Sequence, residues 1–169
     1  MGKGKYYQYY VEGADEEKLI NVLKSQMCLI YLGKVEKINV VQEELTRLRL
    51  MQLRKDTIVV LVFDTDTGNV DIFRKNIQIL NQCCQVKKVI CIPQVENLED
   101  ELLRSCDIRQ IRELTGSKSN KDYKHALVIE KNLAVKLESK NFDISKFWIK
   151  NPSNLFNGIL NESQEIKLK

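Results

Sequence analysis

Hydrophobic residues in the first two thirds of the chain alternate between short β-branched runs and stretches with helical spacing. The runs predict four strands, at 6–11, 37–41, 57–63 and 86–92. The spaced stretches predict four helices, at 15–27, 43–53, 71–80 and 98–106. Regular alternation of strand and helix predicts an α/β, Rossmann-like domain with a mostly parallel four-stranded sheet flanked by helices. The run at 57–63, TIVVLVF, is apolar without alternation, as expected for a strand covered on both faces.

The alternation weakens after Gly116. Residues 117–121 form a polar stretch, and the spacing over 124–137 predicts one more helix. The segment 142–156 contains the only Trp of the chain together with phenylalanines, so we expect it to pack rather than to hang free. The prediction is therefore an α/β domain over 1–116, with a C-terminal, α-rich extension over 117–169 packed on it.

Charge is distributed unevenly between these two parts. The chain has 27 Lys+Arg and 23 Asp+Glu, a net charge of +4. Residues 1–116 carry 17 basic and 17 acidic side chains, whereas 117–169 carry ten lysines and six acids. A neutral body with a lysine-rich extension could meet a phosphate-bearing partner, although lysines on a solvated surface explain the same numbers.

Composition excludes several classes of protein. A hydrophobic content of 43% argues against a disordered chain. No run of about 18 apolar residues predicts a membrane span, and no apolar stretch follows the basic N-terminus as a secretory signal requires. We therefore expect a cytoplasmic protein without a membrane partner. The sequence leaves its oligomeric state open.

Cysteine and histidine usage restricts the chemistry further. Five cysteines without a Cys-x-x-Cys pair predict reduced, mostly buried thiols. A single histidine, His125, argues against most zinc sites, and no nucleophile motif accompanies it. Any catalysis must then rest on carboxylates and lysines.

Two acidic motifs follow two of the predicted strands. Glu12-Gly13-x-Asp15 comes after the first strand, and Asp64-x-Asp66-x-Gly68 comes after the third. Parallel strands end at one edge of a sheet, so these carboxylates can converge there. Oxygen ligands without His or Cys favour a hard cation, Mg²⁺ or Mn²⁺. The alternative is that the aspartates only cap helices and form turns, which is common at strand ends.

These motifs carry a family resemblance. VEGADEEKL (11–19) and VFDTDTGN (62–69) together resemble the Toprim domain, in which a Glu follows the first strand and an Asp-x-Asp follows a later one. Glu12, Asp64 and Asp66 match that pattern directly. Asp15 stands one place early and Glu16 occupies the usual Asp position, so the choice between them stays open.

A third segment is similar to one group of Toprim proteins. IPQVENLEDELL (92–103) resembles the acidic helix start of OLD-family nucleases, which implies that Glu99 is a further metal-site carboxylate. The alternative role of a glutamate in a first helical turn is to favour the helix dipole. The same resemblance implies a downstream lysine, for which Lys118, Lys121 and Lys124 are candidates and Lys124 is preferred.

The resemblance implies metal-dependent hydrolysis of phosphodiester bonds in nucleic acid, DNA or RNA, with Mg²⁺ or Mn²⁺ as the cofactor. The implied catalytic residues are Glu12, Asp64, Asp66 and Lys124, and the implied metal ligands are Glu12, Asp64, Asp66 and Glu99. One metal or two remain alternatives. The chain has no G-x-x-x-x-G-K-[ST] loop, so a subunit acting with a separately encoded ATPase partner in defence or repair is one alternative. A non-catalytic Toprim module that binds nucleic acid or nucleotide is the other.

Overall fold

One parallel sheet lies at the centre of the molecule in a computed structural model of the chain, which describes residues 4–168. Its strands are β1 (Tyr6–Val11), β2 (Lys34–Lys37), β3 (Thr57–Asp64) and β4 (Val86–Gln94). The order across the sheet is β2-β1-β3-β4, and all three pairings are parallel. The predicted α/β class with a four-stranded parallel sheet is confirmed.

Helices cover both faces of this sheet. They are α1 (Ala14–Ser25), α2 (Arg47–Met51), α3 (Val70–Gln82), α4 (Leu98–Ser105), α5 (Arg112–Thr115), α6 (Tyr123–Ile129) and α7 (Leu133–Ser139). Short 3-10 turns occur at Asn120–Asp122 and Ser163–Glu165. Among residues 4–168, no helix is both long enough and apolar enough to cross a membrane.

The two faces of the sheet bury separate hydrophobic clusters because successive strand side chains point in opposite directions. Tyr9 and Val11 of β1 lie in the cluster that also holds buried residues of α1 and α4. Tyr10 lies in the opposite cluster, with Phe63 of β3 and Phe73 of α3. Every residue of β3 is buried, as the TIVVLVF run predicts.

Residues after Gly116 contribute to both clusters. Tyr123 of α6 and the single Trp, Trp148, are buried in the α1–α4 cluster. Phe156 is buried against Phe63 and Phe73 on the other face, with ring centroids 5.6 and 6.0 Å away. The C-terminal part therefore completes the core of the α/β layers. The predicted division at residue 116 stays a prediction.

The second strand lies earlier than predicted. β2 is the polar edge segment KVEK, whereas the apolar residues of 37–41 mostly lie in a turn beyond it. Ile38, Val40 and Val41 are nevertheless buried. The hydrophobic pattern therefore predicts burial correctly here, but its prediction of a paired strand is wrong. β4, in contrast, continues through Pro93 to Gln94 because an edge strand tolerates a residue without a backbone N–H.

Two predicted helices are shorter in the structure. The helix expected over 43–53 is confined to α2, where the Thr46 side chain accepts a hydrogen bond from the Arg49 N–H and caps the helix. The helix expected over 124–137 is interrupted between α6 and α7, around 130–132. The Asn132 N–H donates to the Glu130 side chain at that break, which replaces the continuing helical hydrogen bond.

Strand order reverses between β1 and β3. From β1 the chain moves to β2 on one side, and from β3 it moves to β4 on the other side. In open α/β sheets such a reversal leaves a crevice beyond the carboxyl ends of the two central strands, where ligands bind. Glu12 and Asp64 stand at those two strand ends.

Candidate functional site

Glu12 and Asp64 meet at the reversal point of the sheet. Asp64 is the last residue of β3 and is 6% exposed. Its backbone N–H donates to Glu12 Oε2 over 3.2 Å, so a hydrogen bond joins the ends of the two central strands. Two of the predicted ligands are thus in direct contact although 52 positions separate them.

Gln94 and Trp148 fix the other side of Asp64. Gln94, at the end of β4, is fully buried and donates from Nε2 to Asp64 Oδ1 over 2.6 Å. Its Oε1 accepts from Trp148 Nε1 over 3.1 Å. The Gln94 amide can serve both partners only in one orientation, because its nitrogen faces the carboxylate and its oxygen faces the indole.

The loop after β3 is held from two directions. The N–H groups of Thr65 and Asp66 both donate to Glu96 O at 3.0 Å. Gly68, with φ of 105°, brings the loop so close to Val41 that a Cβ at this position would lie 2.5 Å from a Val41 methyl. Only glycine adopts this conformation in this space without strain. Asp66 is exposed on this loop, and its Oδ2 accepts from Asn97 Nδ2 over 3.3 Å.

The first turn of α1 brings Asp15 and Glu16 beneath the same edge, and both are buried. Glu16 Oε2 accepts from the Gly13 N–H over 3.0 Å, which caps the helix. Asp15 Oδ2 is buried without a hydrogen-bond partner among residues 4–168. The structure therefore gives Glu16 a structural role and leaves Asp15 Oδ2 without a hydrogen bond within the described residues, with the Lys124 ammonium 3.8 Å away.

Lys124 of α6 lies over the acidic cluster, a name we use for Glu12, Asp15, Glu16, Asp64, Asp66 and Glu99. Its Nζ is 3.5 Å from Glu99 Oε1 and 3.8 Å from Asp15 Oδ2. The adjacent Tyr123 is fully buried, and its hydroxyl has no hydrogen-bond partner within the described residues. Of the three candidate lysines, Lys124 is the one that forms ion pairs with these carboxylates. No such pair involves Lys118 or Lys121 in the described part of the chain.

Electrostatics couple these groups into one cluster. Burial and the neighbouring Glu12 charge raise the pKa of Asp64 to about 8, while the Gln94 hydrogen bond opposes that rise. Burial and contact with Asp15 raise the pKa of Glu16, and burial with the Asp66 charge raises the pKa of Glu12. Burial would lower the pKa of Lys124, but the surrounding carboxylates raise it. Repulsion between like charges therefore couples these carboxylates, and Lys124 partly offsets it.

A ready-made ligand cage is absent from the described residues. No group of three or more His, Cys, Asp or Glu side chains within 4–168 is arranged to hold one metal ion. The structure thus joins Glu12 to Asp64 and Lys124 to Glu99, and it places Asp66 close enough for its charge to act on both Glu12 and Asp64. Their roles as metal ligands and catalytic groups stay predictions.

Sequence reasoning missed Gln94, Trp148 and Tyr123. Gln94 carried a usable signal, because it is polar and closely follows a predicted strand whose end faces the crevice. Trp148 and Tyr123 carried none, since their positions depend on how residues after Gly116 fold back on the sheet. Asn97 is also new, as the residue that both caps α4 and contacts Asp66.

Comparison with known proteins adds no relative. No protein-family model matches the chain, and no curated protein or solved structure is significantly similar to it.

Proposed function

We propose that this protein is a metal-dependent phosphodiesterase of the Toprim type that hydrolyses nucleic acid, DNA or RNA, at the carboxyl edge of its sheet. One observation carries the proposal. Carboxylates from separate segments, Glu12, Asp64, Asp66 and Glu99, gather with Lys124 at the point where strand order reverses. Helix caps and turns alone do not require such a gathering of like charges.

The donor atoms fit a hard divalent cation. Every acidic group of the cluster offers carboxylate oxygen, which Mg²⁺ and Mn²⁺ prefer. The raised pKa values of Asp64 and Glu12, and the lack of a hydrogen bond to Asp15 Oδ2 within residues 4–168, are features that a bound cation would relieve. Asp64, Asp66, Glu12 and Glu99 would have to turn their side chains toward the ion to hold Mg²⁺, which would then polarise a phosphate and lower the pKa of a bound water.

Gln94 would orient a metal ligand, and Lys124 would stabilise negative charge on the phosphate. Gln94 holds the Asp64 carboxylate in one orientation through its 2.6 Å hydrogen bond. Lys124, whose side chain is 60% exposed, can leave Glu99 and Asp15 to meet a phosphate oxygen from the solvent side. An ammonium group placed there would stabilise negative charge as it develops on the phosphate.

A cleavage assay tests the proposal. Labelled single- and double-stranded DNA and RNA are incubated with wild type and with Asp64→Asn, in Mg²⁺, Mn²⁺ or EDTA. We expect metal-dependent cleavage by wild type and at least a hundredfold loss in the variant, as for removal of one electrostatic catalytic group. Cleavage unaffected by Asp64→Asn would refute the assignment.

Asp56→Asn is the matched control. Asp56 is exposed just before β3, at the opposite end of the strand from Asp64. Its φ of 64° is a conformation that Asn also adopts readily, so the substitution changes charge without straining the backbone. We expect this variant to cleave at the wild-type rate.

A non-catalytic nucleic-acid or nucleotide-binding module is the second candidate. The ion pairs that Lys124 forms with Glu99 and Asp15 favour it, because in them the lysine serves the carboxylates and not a reacting phosphate. Metal-dependent binding of a labelled strand without turnover, lost in Asp64→Asn, would select this function over hydrolysis. Cleavage that appears only when a separately encoded ATPase is added would instead identify a subunit that needs such a partner.

A further inference from the structure

A polar cavity lies at the opposite end of the sheet from the acidic cluster. It has a volume of about 500 Å³, within the range of pockets that bind small ligands. Its walls come from the amino ends of β1 and β3, from β2 and from α2 with the loop that follows it. No role in the proposed hydrolysis uses these residues.

Most of the charged side chains that line this cavity are cations. Lys5, Lys34, Arg49 and Arg54 line it, with Glu36 as the one acidic side chain among the lining residues. Glu36 pairs with two of them, at 2.7 Å from Lys34 and 3.2 Å from Arg49.

The other two cations are uncompensated. Among residues 4–168, neither Lys5 nor Arg54 forms an ion pair with a carboxylate. Two positive charges at the mouth of a concave surface attract an anion, and phosphate suits the bidentate guanidinium of arginine.

An aromatic surface accompanies these charges. Tyr6 is 42% exposed although it begins a strand, and the Arg54 guanidinium lies 4.9 Å from its ring centroid. Arginine planes and tyrosine rings are the groups on which nucleobases stack in proteins. Phosphate-binding cations next to a stacking surface match the two halves of a nucleotide.

We propose that this cavity binds a nucleoside phosphate, with its phosphate between Lys5 and Arg54 and its base against Tyr6. The site is separate from the acidic cluster, because β1 has six residues and its ends lie roughly 17 Å apart. The acids and the uncompensated cations are thus at opposite ends of the central strands. The nucleotide can be free, or it can be one unit of a strand.

Calorimetric titration in EDTA tests binding without involving the proposed metal site. Wild type is titrated with ADP, with pyrophosphate and with a ten-nucleotide single strand carrying a 5′-phosphate. We expect saturable binding, reduced at least tenfold in Arg54→Ala because a charge-assisted phosphate contact is lost. Tyr6→Leu should weaken ADP binding at least fivefold and leave pyrophosphate binding within twofold.

Lys55→Ala is the charge-matched control. Lys55 is exposed and adjacent in sequence, but it does not line the cavity, so its loss should change affinity less than twofold. Binding of ADP identifies a free nucleotide, whereas binding of the strand alone identifies a nucleotide within nucleic acid. The proposal fails if no probe saturates, or if Arg54→Ala and Lys55→Ala weaken binding equally. Because Arg54 is exposed, its variant tests the site even if Tyr6→Leu does not fold.

Discussion

The Asp64 carboxyl is held where its charge is unfavourable, since burial and the Glu12 charge raise its pKa to about 8. In an unfolded chain the pKa of Asp is about 3.9. Below about pH 4 the Asp64 carboxyl is protonated in both the folded and the unfolded state, so its ionisation does not reduce the stability of the folded protein. As pH rises from about 4 to 8, the unfolded chain has released a proton that the folded protein still holds, so stability falls.

Asp64→Asn should therefore stabilise the metal-free protein at pH 8. Asn keeps an oxygen that accepts from Gln94 and removes the like charge, so we expect a gain of about 1 kcal/mol or more. Urea unfolding in EDTA at pH 5 and pH 8 measures it, with Asp56→Asn as the control. Equal losses of stability between the two pH values in wild type and Asp64→Asn would contradict the prediction.

The five cysteines differ in their exposure to solvent. All five are free, as predicted, but Cys106 alone is buried, so the expectation of mostly buried thiols is wrong. Loss of solvent around the thiol raises the pKa of half-buried Cys91 to about 12 and that of buried Cys106 to about 11. Cys28 and Cys84 are exposed.

Thiol reactivity should separate these residues. At pH 7.5 we expect maleimide to label Cys28 and Cys84 within minutes, because they are accessible to the reagent. Cys91 and Cys106 should react at least a hundredfold more slowly, since almost none of either thiol is ionised. Peptide mass spectrometry after timed quenching reads each site. Rapid labelling of Cys106 in the folded protein would overturn the assignment of a closed core there.

At the scale of elements, the last segment of the chain connects to the site through β4. Trp148 donates to Gln94, and Gln94 donates to Asp64. Glu101 of α4, fully buried, holds the segment in place by accepting from the Trp148 N–H at 3.0 Å and from the Val95 N–H at 3.0 Å. The environment of the single indole is therefore two hydrogen bonds away from a proposed metal ligand.

Trp148 fluorescence should report cation binding. A charge placed on Asp64 changes the polarisation of the Gln94 amide and hence the indole hydrogen bond. We expect Mg²⁺ to change the emission of wild type saturably, and not that of Asp64→Asn or Gln94→Met. Gln94→Met should also lower kcat about tenfold while KM stays within twofold, because it loosens Asp64 without touching substrate.

Gln110→Met is the control for that measurement. Gln110 is exposed, so the same substitution there should leave the Mg²⁺ response unchanged. Emission from wild type that stays constant over the Mg²⁺ range that supports cleavage would break the proposed connection.

An element could be located from the sequence where the buried residues are also the residues that form its backbone hydrogen bonds. β1, β3 and α3 are amphipathic or fully buried, so their hydrophobic patterns located them well. β2 failed because a short polar edge strand pairs through backbone groups, which leave no hydrophobic pattern. The buried residues at 38–41 resembled a strand in sequence because β-branched side chains can also be buried in a turn.

The candidate site likewise contains residues that could be placed from the sequence and residues that could not. Glu12 and Asp64 could be placed together from sequence, since strand ends in a parallel sheet share one edge. Glu99 and Lys124 came from a family resemblance, and the 3.5 Å ion pair between them is a contact that no local pattern encodes. The position of Gln94 after a predicted strand was visible in the sequence, but its orientation required the fold, because an indole 54 positions later sets it.

At the scale of the whole molecule, the net charge of +4 overstates the surface available to a polyanion. Several lysines after Gly116 already have internal partners. Lys136 contacts Glu130 and Thr115 O, Lys146 lies 3.9 Å from Asp143, and half-buried Lys167 donates to Phe147 O. Lys121 lies in the 3-10 turn Asn120–Asp122, three positions before Lys124 at the start of α6, so the two side chains are neighbours on one helical face.

The affinity for a nucleic-acid strand should then depend only modestly on salt concentration, through the few lysines that contact phosphate. With contacts from Lys118, Lys121 and Lys124 to a single strand, log affinity should fall against log NaCl concentration with a slope of about −2. Binding is measured by anisotropy on a labelled six-nucleotide strand with Asp64→Asn, which prevents turnover. Adding Lys121→Ala should reduce the slope by about 0.7, whereas Lys146→Ala, at a lysine paired with Asp143, should leave it unchanged. Equal slopes in all three proteins would contradict the prediction and would mean that these lysines only solvate the surface.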